Sequence, residues 1–119
     1  MTLLKTDLSG KTALITGASS GIGRGVAKAF AECGAKVVIN YPTSAESDSA
    51  DEVAKEIGSS ALTTCANVSV EEEVTSMINF VLGEFGQLDI LVNNAGIARS
   101  APVENIPTSD WNDIFSIHV

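Results

Sequence analysis

The stretch of sequence that decides the fold is Thr16-Gly17-Ala18-Ser19-Ser20-Gly21-Ile22-Gly23. It follows an apolar run at residues 12–15 and precedes an amphipathic segment at residues 22–33. A strand that enters a glycine-rich turn and then a helix can bind a phosphorylated ligand. Glycines let the backbone approach a phosphate closely, and the helix N-terminus offers unpaired N–H groups. Because the spacing G-x-x-x-G-x-G differs from the common G-x-G-x-x-G pattern, an ordinary strand–helix turn stays open as the alternative.

Short β-branched runs alternate with helical patterns along the rest of the chain. The predicted strands are residues 11–16, 36–40, 61–66 and 88–93. The predicted helices are residues 22–33, 48–57 and 70–85, with Ser69 as the N-cap of the third, and a last helix that begins at Thr108. The strands are apolar at successive positions, as in parallel strands buried on both faces. This order predicts right-handed crossovers and an α/β, doubly wound parallel sheet.

The composition is that of one acidic domain. The chain has 119 residues, of which 45% are hydrophobic and 18% charged, and its formal net charge is −8. A field of that sign disfavours nucleic acid and anionic membranes, so neither is expected as a partner. No apolar stretch approaches the roughly 20 residues that span a bilayer. With a short N-terminus that resembles no signal peptide, a cytoplasmic location is predicted.

The two cysteines lack a metal-binding spacing, and no metal site is predicted. Cys33 and Cys65 lie far apart in apolar stretches, without a C-x-x-C pattern. We expect both to be buried thiols in a reducing compartment.

The end of the second predicted strand bears on the choice of cofactor. NAD-binding sites usually place an acidic residue there, on the ribose 2′-hydroxyl. This strand ends at Asn40, which is neutral and would not repel a 2′-phosphate. The following residues 42–44 offer no cation, which leaves Arg24 as the nearest one. NADP(H) is therefore favoured and NAD(H) is the alternative, while Asn40 could also be an ordinary strand-end residue.

The glycine turn and a second segment together resemble the short-chain dehydrogenase/reductase family. The second segment is Leu88-Asp89-Ile90-Leu91-Val92-Asn93-Asn94-Ala95-Gly96. The likeness runs from about Leu8 to Ile117, and Asn40-Tyr41 and Asp110-Trp111 resemble members that act on 3-oxoacyl carrier thioesters or on glucose. The resemblance implies a Rossmann-type sheet with strand order 3-2-1-4, and one NAD(P)-binding domain over residues 1–119.

The resemblance also implies roles for individual residues. The pyrophosphate would be held by Gly17, Gly21 and Gly23. Ser19 and Ser20 would bind the ribose phosphate side, and Ile22 would pack beneath the cofactor. The adenine would contact Asn67 and Val68. The nicotinamide ribose would lie near Asn93, Ala95 and Gly96, whereas Asn94 is interpreted as a structural tie between strands.

The catalytic residues of the family are not found in the 119 residues. The family uses a Tyr-x-x-x-Lys pair and an upstream Ser, but the single tyrosine, Tyr41, is followed four residues later by Ala45. His118 stands where the family usually has a catalytic Asn, and a packed helix histidine is the alternative. We therefore expect a domain truncated before the catalytic segment and inactive alone. Its unpaired edge strand would make the isolated chain weakly stable or self-associating.

For the whole protein, the resemblance implies an NAD(P)-dependent oxidoreductase. It would interconvert a small alcohol and a ketone by hydride transfer, as a homo-oligomer of two or four subunits. The alternative is a truncated, non-catalytic dinucleotide-binding module. A sugar-nucleotide epimerase is less favoured, because those relatives usually space the turn as G-x-x-G-x-x-G.

Overall fold

The computed structural model describes residues 6–94, in which strands and helices alternate. The strands of this part are β1 (Thr12–Ile15), β2 (Lys36–Tyr41), β3 (Ala61–Cys65) and β4 (Ile90–Val92). The helices are α1 (Gly21–Glu32), α2 (Ser47–Ile57) and α3 (Glu71–Phe85), and a 3-10 turn at Ser44–Glu46 precedes α2. The predicted helix from Thr108, with Trp111 and His118, lies outside the described residues, as do Ala95 and Gly96.

The strands form one parallel sheet in the order β3-β2-β1-β4. Ile15 of β1 is in register with Ile39 of β2 on one side and with Val92 of β4 on the other. This confirms the predicted α/β doubly wound sheet and its strand order. The connections run outward from β1 to β3 and then return to the other side of β1, so the winding direction reverses between β1 and β4.

The two faces of the sheet are covered by different helices. Alternation along β1 sends Ala13 and Ile15 to one face and Leu14 to the other. The first face packs on α1 and α2 through the buried side chains Ala27, Ala50 and Val53. The second face packs on α3 through Met77 and Val81. The successive apolar positions of the central strands therefore serve two cores, which is why no polar alternation appears in their sequence.

Three local predictions differ from the structure. Cys65 is exposed rather than buried, because it ends β3, an edge strand among the described residues. Cys33 is intermediate in exposure. The N-cap of α3 is Val70 and not Ser69, whose backbone N–H instead bonds to the Asn67 side chain. Within residues 6–94, none of the helices is both long and apolar enough to cross a membrane.

Candidate cofactor site

The two sequence motifs meet at the reversal point of the sheet. The glycine turn follows β1, and Asn93 and Asn94 follow β4, the strand that pairs with β1. The strands are parallel, so both segments leave the sheet at its carboxyl edge. In open α/β sheets this crevice, outside the carboxyl ends and at the switch in strand order, is where ligands bind.

The backbone of the turn is shaped by two glycines. Gly17 and Gly21 have φ angles of +62° and +61°, a left-handed conformation that other residues rarely adopt. Ser20 is the N-cap of α1 in an extended conformation, and its side chain makes no capping hydrogen bond. The first turn of α1 also carries no acidic side chain. The N-terminus of α1 therefore offers N–H groups and a positive dipole end without an internal anion to occupy them.

Gly23 allows α1 to pack directly against this turn. A Cβ atom at this position would lie 2.5 Å from the Gly17 carbonyl oxygen and 2.7 Å from Nδ2 of Asn94. Neither distance is tolerable for a carbon, and the first neighbour is backbone. Gly23 thus lies in close contact with the turn, and this packing depends on the absence of a side chain.

Asn94 ties the two motifs together, as predicted. Its Nδ2 donates to the Gly17 carbonyl oxygen at 3.0 Å, and its backbone N–H donates to Oγ1 of Thr16 at 2.9 Å. The Thr16 N–H in turn donates to the carbonyl of Val92 at 3.1 Å. The ends of β1 and β4 are thus held at a fixed separation, with Asn93 next to the turn.

Asn40 does not face the crevice, which corrects its predicted role beside the cofactor. Its side chain is fully buried, and Oδ1 accepts the Gly17 N–H at 3.2 Å. Its Nδ2 donates to the carbonyl of Ala66 at 3.0 Å and contacts the Met77 sulfur at 3.3 Å. The strand alternates its faces, so position 40 points into the α3 core while Tyr41 points to the opposite face. Asn40 holds the glycine turn to the end of β3.

The other residues of the turn that were predicted to contact the cofactor differ in their exposure to solvent. Ser20 is exposed and Ile22 is 79% exposed, so both are open to a ligand. Ser19 is only 5% exposed, which leaves its hydroxyl little access to one. The surface that the turn presents at the crevice consists of its backbone with Ser20 and Ile22.

At the end of β3, Asn67 is engaged locally. Its Oδ1 accepts from the Ser69 N–H at 3.0 Å and from the Ser69 hydroxyl at 2.6 Å, which uses both lone pairs. Its own backbone N–H donates to the Glu73 carboxylate at 2.8 Å. The Oδ1 atom of Asn67 is thus already engaged with Ser69, and a contact of Asn67 with adenine stays a prediction. Val68, by contrast, lines a narrow apolar cleft with Thr16 and Asn93 directly below the crevice.

Arg24, the cation nearest to the turn in sequence among residues 6–94, is already paired. Nη2 of Arg24 lies 2.8 Å from both carboxylate oxygens of Glu56 and 3.9 Å from Glu52. Nζ of Lys28 also lies 2.8 Å from Glu56. Hydrogen bonds from Lys28 and then Arg24 hold the pKa of Glu56 below its ordinary value. Sequence analysis missed this cluster, because only the packing of α1 beside α2 brings positions 24 and 56 together.

Asp89 closes the opposite, amino edge of the β1–β4 pair. Its carboxylate accepts the Thr12 N–H at 2.9 Å, and the Thr12 carbonyl accepts the Asp89 N–H at 2.9 Å. The Thr12 bond is the main reason that the pKa of Asp89 is lowered. Asp89 is part of the second motif, yet it lies far from the crevice and fixes the strand register.

Comparison with known proteins agrees with the geometry. The model of the short chain dehydrogenase family matches residues 11–119. A 3-oxoacyl-(acyl-carrier-protein) reductase of Synechocystis sp. is 41% identical over 117 residues, a match that covers 96% of this chain and 47% of that protein. A gluconate 5-dehydrogenase of Gluconobacter oxydans is 41% identical over 113 residues, which covers 95% of this chain and 44% of that protein.

A solved structure shows the same fold. The 3-ketoacyl-(acyl-carrier-protein) reductase from Brucella melitensis, crystallised in complex with NADH, superposes with a TM-score of 0.71 at 44% identity. The match covers 93% of this chain and 45% of that one. The chain thus spans less than half the length of these relatives. The matched motifs, the strand order and the glycine turn lead to one conclusion: this chain belongs to the short-chain dehydrogenase family.

Proposed function

We propose that this chain supplies the NAD(P)-binding part of an oxidoreductase that interconverts an alcohol and a ketone. The observation that carries the proposal is the glycine turn at the reversal point, with an α1 N-terminus that no described side chain caps. The relatives support it, since they include 3-oxoacyl-(acyl-carrier-protein) reductases and a gluconate 5-dehydrogenase, and one of these reductases was crystallised in complex with NADH.

The described residues fit such a cofactor in a definite order. The pyrophosphate would lie on the N–H groups at the start of α1, where the left-handed Gly17 and Gly21 keep side chains away from it. Ser20 and Ile22 would contact it from the exposed side of the turn. Asn93 would border the nicotinamide ribose, and the same role for Ala95 and Gly96 stays a prediction. The cofactor, when bound, would donate or accept the hydride.

The structure removes one argument for preferring NADP(H) over NAD(H). With Asn40 buried, the neutrality of that residue gives no argument for NADP(H). Residues 41–44 bring no carboxylate that would repel a 2′-phosphate, and Arg24 is paired with Glu56. We infer that the site accepts both NADH and NADPH, and the preference for NADP(H) stays a prediction.

A charge reversal at the turn tests cofactor binding. Ser20→Asp places a carboxylate at the N-terminus of α1, where it would compete with the pyrophosphate. Ser49→Asp adds the same charge to an exposed position of α2 and serves as the control. The binding of NADH and NADPH to the full-length protein is measured by the fluorescence of the cofactor. We expect Ser20→Asp to weaken both at least tenfold and Ser49→Asp to leave them within twofold of the parent. Equal binding by both variants would refute the location of the site.

The second candidate function is dinucleotide binding without catalysis. It is supported by the glycine turn itself, whose backbone could bind a dinucleotide whether or not a hydride is transferred. The two functions separate in one assay, oxidation of NADPH or NADH in the presence of a panel of ketones. Turnover supports the oxidoreductase, and tight binding without turnover supports the module. Inactivity of the 119 residues alone, the domain boundary, a cytoplasmic location and homo-oligomeric assembly also stay predictions.

A further inference from the structure

We propose that Glu56 sets the cofactor preference of this site by holding Arg24 away from the 2′-phosphate of NADP(H). This inference rests on the proposed cofactor site at the start of α1. It concerns a different step, because the pyrophosphate is common to both cofactors while the 2′-phosphate belongs to one.

Arg24 is the cation best placed to meet a 2′-phosphate among residues 6–94. Lys11 precedes β1, Lys36 begins β2 and Lys55 is in the last turn of α2, so all three lie toward the amino edge of the sheet. Arg24 is in the first turn of α1, next to the glycine turn at the carboxyl edge, whereas Lys28 is a turn further from that edge. Its guanidinium can grip a phosphate with two parallel hydrogen bonds, which an ammonium group cannot.

Glu56 draws this guanidinium in the opposite direction. Both α1 and α2 begin at the carboxyl edge, and Glu56 is in the last turn of α2, about 14 Å down that helix at 1.5 Å per residue. Arg24 is only about 5 Å down α1 on the same measure. The contact of Nη2 with both Glu56 oxygens at 2.8 Å therefore points the side chain away from the edge.

The ion pair with Glu56 is strong enough to orient the Arg24 side chain, yet weak enough for a 2′-phosphate to displace Glu56. The Arg24 and Glu56 side chains are 33% and 38% exposed, so solvent screens their attraction. A phosphate carries more charge than a carboxylate and would compete for the same donors. NADPH must break the pair to recruit Arg24, whereas NADH has no reason to do so. Releasing Arg24 should therefore raise NADPH affinity selectively.

The experiment measures dissociation constants for NADH and NADPH by fluorescence titration of the full protein. The test variant is Glu56→Gln, and the control is Glu72→Gln, which removes one negative charge from the exposed first turn of α3. We expect Glu56→Gln to tighten NADPH binding relative to NADH binding about fivefold, a modest factor because solvent screens the exposed pair. Glu72→Gln should change this ratio by less than twofold.

Double variants identify the cation that acts. Arg24→Gln combined with Glu56→Gln should abolish the gain, while Lys28→Gln combined with Glu56→Gln should keep it. An unchanged ratio in Glu56→Gln, an equal change in Glu72→Gln, or a gain that survives Arg24→Gln would each overturn the role of Glu56 while leaving the cofactor site intact. Failure of the parent protein to bind either cofactor would instead overturn the proposed function itself.

Discussion

The substitution Asn40→Asp separates a structural role of position 40 from contact with a cofactor. Aspartate has the same shape as asparagine and still accepts the Gly17 N–H, which lies 3.2 Å from Oδ1. It loses the Nδ2 donor, so a carboxylate oxygen would face the Ala66 carbonyl oxygen across the present 3.0 Å contact. The position is fully buried, and the hydrogen-bond partners of its side chain among the described residues include no cation.

The loss of stability in Asn40→Asp depends on pH, because protonation of the new carboxylate restores a hydrogen-bond donor. The protonated acid of the variant would donate to the Ala66 carbonyl as the amide does, so the pKa of the variant side chain is expected to rise in the folded state. An acid with a raised folded pKa stabilises the fold below its unfolded pKa, and that stability is lost as the pH rises toward the folded pKa. From an unfolded pKa near 3.9, the loss is about 1.4 kcal/mol per pH unit and at most about 4 kcal/mol at pH 7.

Urea unfolding at pH 5 and pH 7 measures this prediction. Asn40→Asp should be destabilised by about 3 kcal/mol at pH 7 and should recover about half of that loss at pH 5. Asn79→Asp on the exposed surface of α3 is the matched control and should change little at either pH. Parent-like stability of Asn40→Asp at both values, with an altered NADH to NADPH ratio, would show that Asn40 faces the ligand and would refute the structural role.

Two further substitutions test the packing and the strand register. Gly23→Ala should lower the free energy of unfolding by about 1–3 kcal/mol, because its Cβ would meet the Gly17 carbonyl at 2.5 Å. Gly25→Ala, whose Cβ meets nothing within 4 Å, should be neutral or stabilising by up to about 1 kcal/mol, and equal losses in both would contradict the close approach. Asp89→Asn should destabilise at pH 7, and this deficit should shrink as the pH falls to 3, because the Thr12 N–H lowers the Asp89 pKa and its stabilisation fades as that carboxylate protonates. A deficit that is the same at both pH values in urea unfolding would show that the carboxylate charge is irrelevant.

Most of the fold follows from local patterns. The alternation of strands and helices was predicted from successive apolar positions and helical periodicity, and it is confirmed. The strand order 3-2-1-4 was implied by the resemblance to the family, and it is confirmed as well. Strand and helix ends shifted by one or two residues, as with β4, which begins at Ile90 rather than Leu88. Such ends depend on hydrogen bonds to neighbouring strands, which lie far away in sequence.

The candidate site was only partly predictable. The glycine turn was identified by its glycines, since a left-handed backbone and a close helix approach demand that residue. The role of Asn94 followed from the resemblance to the family. The errors at Asn40 and Cys65 share a cause. Each depends on which side of a strand end faces a core, a neighbouring strand or solvent, and a shift of one position reverses the answer.

The sequence by itself determined the class of sheet, the family and the position of the glycine turn, because these depend on local periodicity and on short motifs. Only the tertiary structure decided what the polar side chains around the turn do. It buried Asn40 as a tie between β2, β3 and the turn, and it paired Arg24 with Glu56 across two helices. Those partners lie 23 to 32 residues apart along the chain, so packing alone brings them into hydrogen-bonding distance.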